Sequence, residues 1–196
     1  MLLVLSYILG GIPFGFIITH AVKGVDIRRH GSGNIGATNV TRVVNRKWGV
    51  IVFVLDFAKG LLAPLLAILF LSHPANFIVI LCALAVVSGH NWTPFLGFKG
   101  GKGVATSLGA LCALGVKFPA FFMLLVIALI VWAVLFFTVR VVSIASIASA
   151  LTFLVCSFVV ELPLEFRVLS AVLVALLILR HTKNIKNLFE KKELRF

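Results

Sequence analysis

Acidic side chains are the scarcest feature of this sequence, which has six Asp and Glu against 18 Lys and Arg in 196 residues. Charged residues of both signs make up only 12% of the chain, whereas 61% is hydrophobic and the mean hydropathy is +1.17. A soluble domain of this length cannot bury so much apolar surface, which excludes a soluble protein. We expect a single integral membrane domain over residues 1–196.

Three other absences narrow the class further. The alternating pattern of membrane β-strands is missing, so the membrane domain is expected to be all-α. Cys82, Cys112 and Cys156 lie in apolar runs without metal-ligand or CxxC spacing, and we interpret them as small buried hydrophobic residues. With so few acids and no cluster of metal ligands, the sequence predicts a protein that needs neither a metal nor another cofactor.

Long apolar runs predict the helices that cross the membrane. Near-spanning runs cover 2–22, 48–71, 76–90, 118–138, 141–160 and 164–180, and a shorter run covers 104–116. Basic residues concentrate in 23–47 and after 180, and cytoplasmic loops carry an excess of Lys and Arg. Six crossings would leave the basic tail outside. We therefore predict seven transmembrane helices, with the N-terminus outside and the C-terminus in the cytoplasm.

The glycine-rich and polar parts of the sequence are confined to three segments, 23–47, 91–103 and 180–196. The predicted topology places all three in the cytoplasm, where glycine-rich loops would converge on one candidate site. The basic surplus lacks a nucleic-acid-binding signature, so no nucleic-acid partner is expected. We interpret the basic loops as topology signals and as an attraction for anionic substrates.

The first of these segments contains the stretch RRHGSGNIGATNVTR. Backbone N–H groups at a glycine turn followed by a helix start can bind an anion. We expect Ser32 and Asn34 to cap a short amphipathic or re-entrant helix near 35–45. On that helix Thr38 and Arg42 would share a face, and the guanidinium would clamp a phosphate. An interfacial loop with a positive-inside arginine is the other interpretation.

The second segment, GHNWTPF followed by FKGGKGVAT, repeats this logic, because glycines and Lys102 lead into the run 104–116. It is not a P-loop, since Gly103 stands where Ser or Thr would follow the lysine. Two anion-binding loops would suit two phosphate-bearing groups. A re-entrant turn whose glycines permit tight packing is the alternative.

The third segment, RHTKNIKNL, follows the last apolar run. If the helix continues, His181 and Asn184 lie three residues apart on one face. A histidine there could orient or deprotonate a hydroxyl group. A solvated helix beside the membrane is the alternative.

Two charged residues lie inside an apolar run. Asp56 and Lys59 are three residues apart in 48–71, and charges within a membrane are costly and usually paired. We expect a structural ion pair near the site, with a direct role as the alternative. In the first run, GGIPFG predicts a kink and close helix contact.

Taken in order, GSGNIGATN with Arg42, GHNWTPF with FKGGKGVAT, and RHTKNI resemble the three cytoplasmic motifs of the bacterial acyl-phosphate:glycerol-3-phosphate acyltransferases. DFAKG and SYILGGIPFG are similar too, so the resemblance covers essentially the whole chain. It implies transfer of a fatty acyl group from acyl phosphate, not acyl-CoA, to the 1-hydroxyl of sn-glycerol 3-phosphate. The products would be lysophosphatidic acid and inorganic phosphate, made for phospholipid synthesis at the cytoplasmic face of the bacterial inner membrane.

The resemblance also implies site residues. Ser32 and Arg42 match essential residues of the first motif, and His181 and Asn184 match the third. The family also has a structural glutamate after the third motif, and the resemblance matches it to Glu190. The glycines of the second motif would form the acyl-phosphate loop. The candidate substrate-binding residues are Gly33, Asn34, Thr38, Asn39, His90, Asn91, Gly100, Gly101, Lys102, Gly103 and Thr106. Besides the two substrates and the bilayer, no protein partner is expected.

Other functions fit the sequence less well. The H-x-x-x-x-D motif of the other large class of glycerolipid acyltransferases is missing, and the motifs of lipid-phosphate phosphatases are incomplete. A transporter of a phosphorylated metabolite is the main alternative, although its polar groups would lie near the membrane midplane. The group that accepts the hydroxyl proton is open between His181 and a substrate phosphate oxygen, and an acylated Ser32 is disfavoured because the sequence places no base beside it.

Overall fold

The computed structural model describes residues 1–71, 75–160 and 162–196, and every regular element in these ranges is helical. The chain divides into two compact units, Met1–Leu114 and Gly115–Phe196. The helices of the first unit are α1 (Leu2–Gly11), α2 (Phe14–Lys23), α3 (Ala37–Val43), α4 (Arg46–Phe70), α5 (Asn76–Asn91) and α6 (Val104–Lys117), the last of which continues past the boundary.

The first apolar run is broken in its middle, as GGIPFG predicts. α1 ends before Ile12 and α2 begins after Pro13, which lacks the N–H that a continuous helix would need. The carbonyl oxygen of Ile12 accepts a hydrogen bond from Nζ of Lys59 at 2.8 Å. The break therefore exposes a backbone acceptor inside the helix bundle, and a buried cation of α4 satisfies it.

Close helix crossings in the first unit depend on glycine. At the crossing of α1 and α5, a Cβ atom on Gly10 would overlap the carbonyl of Val86, and one on Gly89 would overlap the carbonyl of Tyr7. Hydrogen bonds flank this crossing, including one from the hydroxyl of Tyr7 to the carbonyl of Trp92 at 2.5 Å. Small residues allow such backbone contact between membrane helices.

α6 begins deep in the first unit. A Cβ atom on Gly60, near the middle of the 25-residue α4, would overlap the carbonyl oxygen of Thr106 in the first turn of α6. The loop that precedes α6 must therefore reach the middle of α4 rather than stop at its end. This explains why the apolar run that forms α6 is shorter than the others.

The second unit contains α7 (Ala120–Val139), α8 (Val142–Val159), α9 (Leu164–Arg180) and α10 (Thr182–Phe189). α8 packs against both α7 and α9, and α10 packs against α9. The rings of Phe121 and Phe166 lie 5.3 Å apart in its core. The chain after α10 folds back, so that the N–H of Phe196 donates to the carbonyl of Arg140 at 2.8 Å.

The apolar runs all form helices, with ends close to the predicted ones. Five helical segments in the described ranges are long and apolar enough to cross a membrane: Leu2–Lys23, Arg46–Phe70, Asn76–Leu96, Ala120–Val139 and Val142–Val159. α6 has 14 residues and α9 has 17, fewer than the roughly 20 that a full crossing needs. The all-helical fold is thus confirmed, and the count of seven crossings stays a prediction.

Candidate active site

The first glycine loop is held by one buried side chain. Nδ2 of Asn39 donates to the carbonyls of His30 at 3.0 Å and Asn34 at 2.8 Å, and Oδ1 accepts from the N–H of Ser32 at 2.9 Å. Asn39 is 1% exposed. Both of its N–H groups and its oxygen are therefore used to shape the loop. The sequence predicts a substrate contact for Asn39, whereas the structure gives it a positioning role.

The short helix expected near 35–45 is α3, but its cap differs from the prediction. Gly36 is the N-cap residue, and no side chain caps the helix there. Asn34 accepts from the N–H of Gly36 at 2.8 Å, and the hydroxyl of Ser32 lies 3.5 Å from the N–H of Asn34. The loop thus bonds to itself before α3 begins.

These bonds change the interpretation of the first loop as an amide nest. The N–H of Gly33 donates to the carbonyl of His30 at 3.0 Å, the N–H groups of Asn34 and Gly36 also have acceptors within the loop, and the N–H of Ser32 donates to Oδ1 of Asn39. A ligand phosphate would have to displace those acceptors. Side chains, rather than the loop amides, must supply the positive groups at this position.

Arg42 is the cation that α3 contributes. It follows Thr38 by four residues, so the two share a face, and both are half-buried. Arg28 is engaged elsewhere, since its guanidinium lies 2.7 Å from the carboxylate of Asp26 and 5.2 Å from the ring centre of Phe16. That hydrogen-bonded guanidinium lowers the pKa of Asp26 to about 2.

The second glycine loop folds back onto the end of α5. The N–H of Gly100 donates to the carbonyl of Asn91 at 3.2 Å, and the N–H of Gly101 donates to the carbonyl of His90 at 2.9 Å. A Cβ atom on Gly101 would overlap Nε2 of His90, and one on Gly103, whose φ is +79°, would lie 2.8 Å from Oδ1 of Asn91. The glycines therefore permit tight packing, and two of the expected nest amides already have partners.

The predicted ion pair of α4 is present and includes a third group. Nζ of Lys59 lies 2.8 Å from Oδ1 of Asp56, and Nδ1 of His90 lies 3.5 Å from the same oxygen. All three side chains are at most 5% exposed. The sequence predicts that His90 binds substrate, whereas here one ring nitrogen faces Asp56 and the other faces the glycine loop. His90 thus links the buried charge pair to that loop.

Two buried polar side chains beside the start of α6 lack hydrogen-bond partners within the described part of the chain. They are Asn91, at both its oxygen and its nitrogen, and Thr106, at its hydroxyl. Both residues are 0% exposed. Leaving a buried polar group unsatisfied costs about 1–3 kcal/mol, so such groups require a ligand or water. They lie next to N–H groups of the first turn of α6, which have no acceptor inside the helix.

The first two motifs meet in one apolar cluster. Ile35 and Val40 of the first motif are buried there, and Leu96 of the second packs against them. The structure therefore packs the first motif against the segment that precedes the second glycine loop, within the first unit. His181 and Asn184 belong to the second unit, and the convergence of all three motifs stays a prediction.

The third motif does not continue the last apolar helix. α9 ends at Arg180, His181 forms the break, and α10 contains Asn184. His181 is 2% exposed, and its Nδ1 lies 2.8 Å from the carbonyl oxygen of Leu177. A carbonyl only accepts, so Nδ1 carries the proton. In the neutral ring the lone pair is then on Nε2, the arrangement that a general base requires.

The glutamate that contacts the third motif is Glu193 rather than Glu190. Oε1 of Glu193 accepts from Nδ2 of Asn184 at 2.5 Å and from the hydroxyl of Ser143 at 2.8 Å. Glu190 is exposed and lies 3.0 Å from Lys192. Sequence spacing misses this residue because the chain reverses direction after α10. Asn184 thereby has a structural contact besides its predicted catalytic role.

Glu193→Ala is expected to destabilise the second unit by about 1.5–3 kcal/mol, the contribution of a hydrogen bond to a charged group. The change leaves Asn184 and Ser143 without their shared acceptor. Thermal unfolding in detergent measures the loss, with Glu190→Ala as the matched control that leaves the midpoint unchanged. Equal midpoints for the two variants would contradict the structural role of Glu193.

These features define an all-helical protein of long apolar helices with polar groups gathered at glycine loops and helix ends. The chain belongs to the glycerol-3-phosphate acyltransferase family, whose model matches residues 1–191. A glycerol-3-phosphate acyltransferase of Aquifex aeolicus is 41% identical over 195 residues, covering 100% of this chain and 97% of the relative. One of Clostridium acetobutylicum is 39% identical over 197 residues, covering 96% and 94%.

Two solved structures have the same fold. The crystal structure of PlsY, an integral membrane glycerol 3-phosphate acyltransferase, in its glycerol 3-phosphate form matches with a TM-score of 0.89 at 40% identity, covering 100% of this chain and 94% of that one. Its lysophosphatidic acid form matches with a TM-score of 0.86 at 40% identity, covering 100% and 93%. The resemblance seen in the sequence motifs is thereby confirmed at the level of the family.

Proposed function

We propose that this protein transfers a fatty acyl group from acyl phosphate to the 1-hydroxyl of sn-glycerol 3-phosphate. The observation that carries the proposal is the pair of PlsY structures, whose forms are named for glycerol 3-phosphate and for lysophosphatidic acid. The second molecule is the acylated form of the first. A protein 40% identical over this whole chain thus binds both the acceptor and the product of one acyl transfer.

The donor proposal rests on the second loop. Lys102 and the first turn of α6 supply positive groups, and the buried polar groups of Asn91 and Thr106 lie beside them. Such a site suits a phosphate attached to a buried apolar chain. A thioester donor would bring no phosphate to its reacting carbonyl, so we expect acyl phosphate rather than acyl-CoA.

The reaction needs positioning and charge stabilisation. The 1-hydroxyl oxygen attacks the acyl carbonyl carbon and forms the ester bond, while the bond from that carbon to the phosphate oxygen breaks. The electron pair leaves with phosphate, whose negative charge Arg42 and Lys102 stabilise. The hydroxyl proton passes to Nε2 of His181 or to a phosphate oxygen, and Ser32 orients the acceptor. A pH profile of His181→Gln distinguishes the two proton acceptors.

For the membrane arrangement, we propose seven crossings with the N-terminus outside and the site at the cytoplasmic face of the bacterial inner membrane, serving phospholipid synthesis. The basic loops support this orientation. The deep start of α6 supports the count, because a helix that begins halfway along α4 can complete a crossing with only 14 residues.

The acyl chain has a candidate place in the first unit. An apolar groove runs along the break between α1 and α2, lined by Ile12, Pro13, Phe16, Ile17, Phe95 and Leu96. Phe16 and Leu96 also pack against the apolar cluster of the first loop. The groove therefore adjoins the first motif and the start of the second, as a chain attached to the reacting carbonyl requires.

Ile17→Trp is expected to lower kcat/KM for palmitoyl phosphate about tenfold and for octanoyl phosphate less than about twofold. The larger side chain would displace one or two methylenes of a long chain, each worth about 0.8 kcal/mol when buried. Ile8→Trp is the matched control, since Ile8 is similarly exposed, at 42% against 48%, and lies outside the groove. An equal loss with both donors would exclude the groove as the acyl site.

The activity itself is tested with purified protein in vesicles containing EDTA, palmitoyl phosphate and glycerol 3-phosphate. Lysophosphatidic acid and phosphate should appear in equal amounts, and only when both substrates are present. Phosphate release without glycerol 3-phosphate would indicate a phosphatase. No release by folded protein would favour a transporter. That alternative has a structural argument, because Asp56 lies ten residues, or about 15 Å, beyond the start of α4.

A further inference from the structure

α10 presents an outward face that the proposed reaction does not use. Thr182, Lys186 and Phe189 are spaced by four and three residues, so they form one stripe, and Lys183 lies beside it. All four residues are exposed, and the ring of Phe189 is 86% exposed. The opposite face, with Ile185 and Leu188, is half-buried. α10 therefore packs through one side and leaves an aromatic and basic side open.

The charge of this region is strongly positive. The exposed basic residues after His181 are Lys183, Lys186, Lys191, Lys192 and Arg195. Only two acids are near them in sequence, and Glu193 turns inward to Asn184 and Ser143. Glu190 pairs with Lys192 at 3.0 Å and lies 3.8 Å from Lys186. The remaining surface is a cationic face around an exposed phenylalanine.

This composition matches one kind of partner. α10 directly follows the apolar helix α9, so it lies where that helix ends. Apolar side chains such as phenylalanine on interfacial helices enter the boundary between water and lipid, and clusters of basic residues beside an apolar helix attract anionic head groups. A basic helix with an exposed aromatic ring can lie in that boundary.

We propose that the outward face of α10 and the basic tail dock on anionic phospholipid head groups of the bilayer that holds the protein. Phe189 inserts its ring among the head groups, and Lys183 and Lys186 contact their phosphates. The surface is separate from the substrate groups, since the stripe contains none of the residues assigned to either substrate. Docking would fix α10, whose inner face includes Asn184, against the membrane surface.

Tryptophan fluorescence in vesicles tests the docking without any use of activity. Phe189→Trp is reconstituted with lipids brominated near the head-group end of the acyl chain, and the signal of the natural tryptophans is subtracted with wild-type protein. Leu164→Trp is the matched control, because Leu164 is 69% exposed at the other end of α9 and its neighbour is Glu165. Bromine quenches only a ring that it touches.

The ring introduced by Phe189→Trp should be quenched more by brominated phosphatidylglycerol than by brominated phosphatidylcholine at equal fractions, and the ring introduced by Leu164→Trp equally by both. One basic residue near an anionic surface contributes about fivefold to lipid affinity, so Lys183→Gln with Lys186→Gln should weaken the preference, while Lys191, Lys192 and Arg195 retain part of it. Equal quenching of the Phe189→Trp variant by both lipids, or none, would overturn the proposal.

A second measurement, thermal unfolding in nanodiscs, needs no tryptophan substitution. Phosphatidylglycerol should raise the unfolding temperature of wild-type protein in nanodiscs relative to phosphatidylcholine, and high salt should reduce the gain. The same gain in the double lysine variant would also overturn the proposal, whatever the outcome of the acyltransferase assay.

Discussion

Gly101→Ala is expected to lower kcat/KM for palmitoyl phosphate at least about a hundredfold. The new Cβ atom would overlap Nε2 of His90. The ring cannot turn away freely, because Nδ1 lies 3.5 Å from Asp56, which also pairs with Lys59. The loop must move instead, and a displacement of about 1 Å at a reacting group can cost about 10²-fold in rate.

Gly97→Asn is the matched control for that variant. Gly97 also lies in the second loop and has a φ of +63°, but nothing lies within 4 Å of an added Cβ atom there. Asparagine tolerates this backbone conformation, so activity should stay within about twofold. Normal kcat/KM in Gly101→Ala, with unfolding temperatures equal in both variants, would mean that catalysis does not depend on the packing of the loop against His90.

Arg42→Ala is expected to lower kcat/KM about a hundredfold. A guanidinium on a phosphate contributes about 1.5–3 kcal/mol per hydrogen bond. The first loop cannot compensate, because the N–H groups of Ser32, Gly33 and Asn34 already have acceptors. Arg42→Lys should recover only part of the loss, since a lysine keeps the charge but not the two-pronged geometry.

Arg28→Ala is the matched control for Arg42, because Arg28 belongs to the same motif but is paired with Asp26. The pKa of Asp26 is about 2, so its carboxylate stays ionised at neutral pH. The ion pair with Arg28 is lost only as the pH falls toward 2 and the carboxylate is protonated. The control variant should therefore keep near-normal activity without a pH-dependent change between pH 5 and 9. Similar losses for Arg28→Ala and Arg42→Ala would indicate a general charge effect rather than a phosphate contact.

The helices could be predicted because a long run of apolar residues is sufficient to indicate a membrane helix. The break at Ile12 and Pro13 follows from proline chemistry, and the pairing of Asp56 with Lys59 follows from helical spacing and the cost of a buried charge. Such features depend on residues within one or two helical turns of each other. These local features are the part of the fold that can be predicted most reliably from the sequence.

The loops could not be predicted to the same depth, because hydrogen bonds there join distant or oppositely directed segments. The glycine patterns correctly marked two loops, but not that Asn39 accepts from an N–H group of the first and that carbonyls at the end of α5 accept from two N–H groups of the second. Glu193 reaches Ser143, fifty residues away in the chain, only after the tail reverses. The resemblance to the family matched Glu190 instead. The depth at which α6 begins likewise depends on the contact between Gly60 and Thr106.

The most direct test of the proposed donor supplies the enzyme with acyl phosphate and acyl-CoA together. Palmitoyl phosphate and palmitoyl-CoA are mixed at equal concentrations in the same vesicles with glycerol 3-phosphate, and the acyl chain of only one donor carries ¹³C. Mass spectrometry of the lysophosphatidic acid then reports which donor supplied each chain. Product is expected from palmitoyl phosphate alone, whichever donor is labelled. Product that carries the chain of palmitoyl-CoA would contradict the assignment of acyl phosphate as the donor.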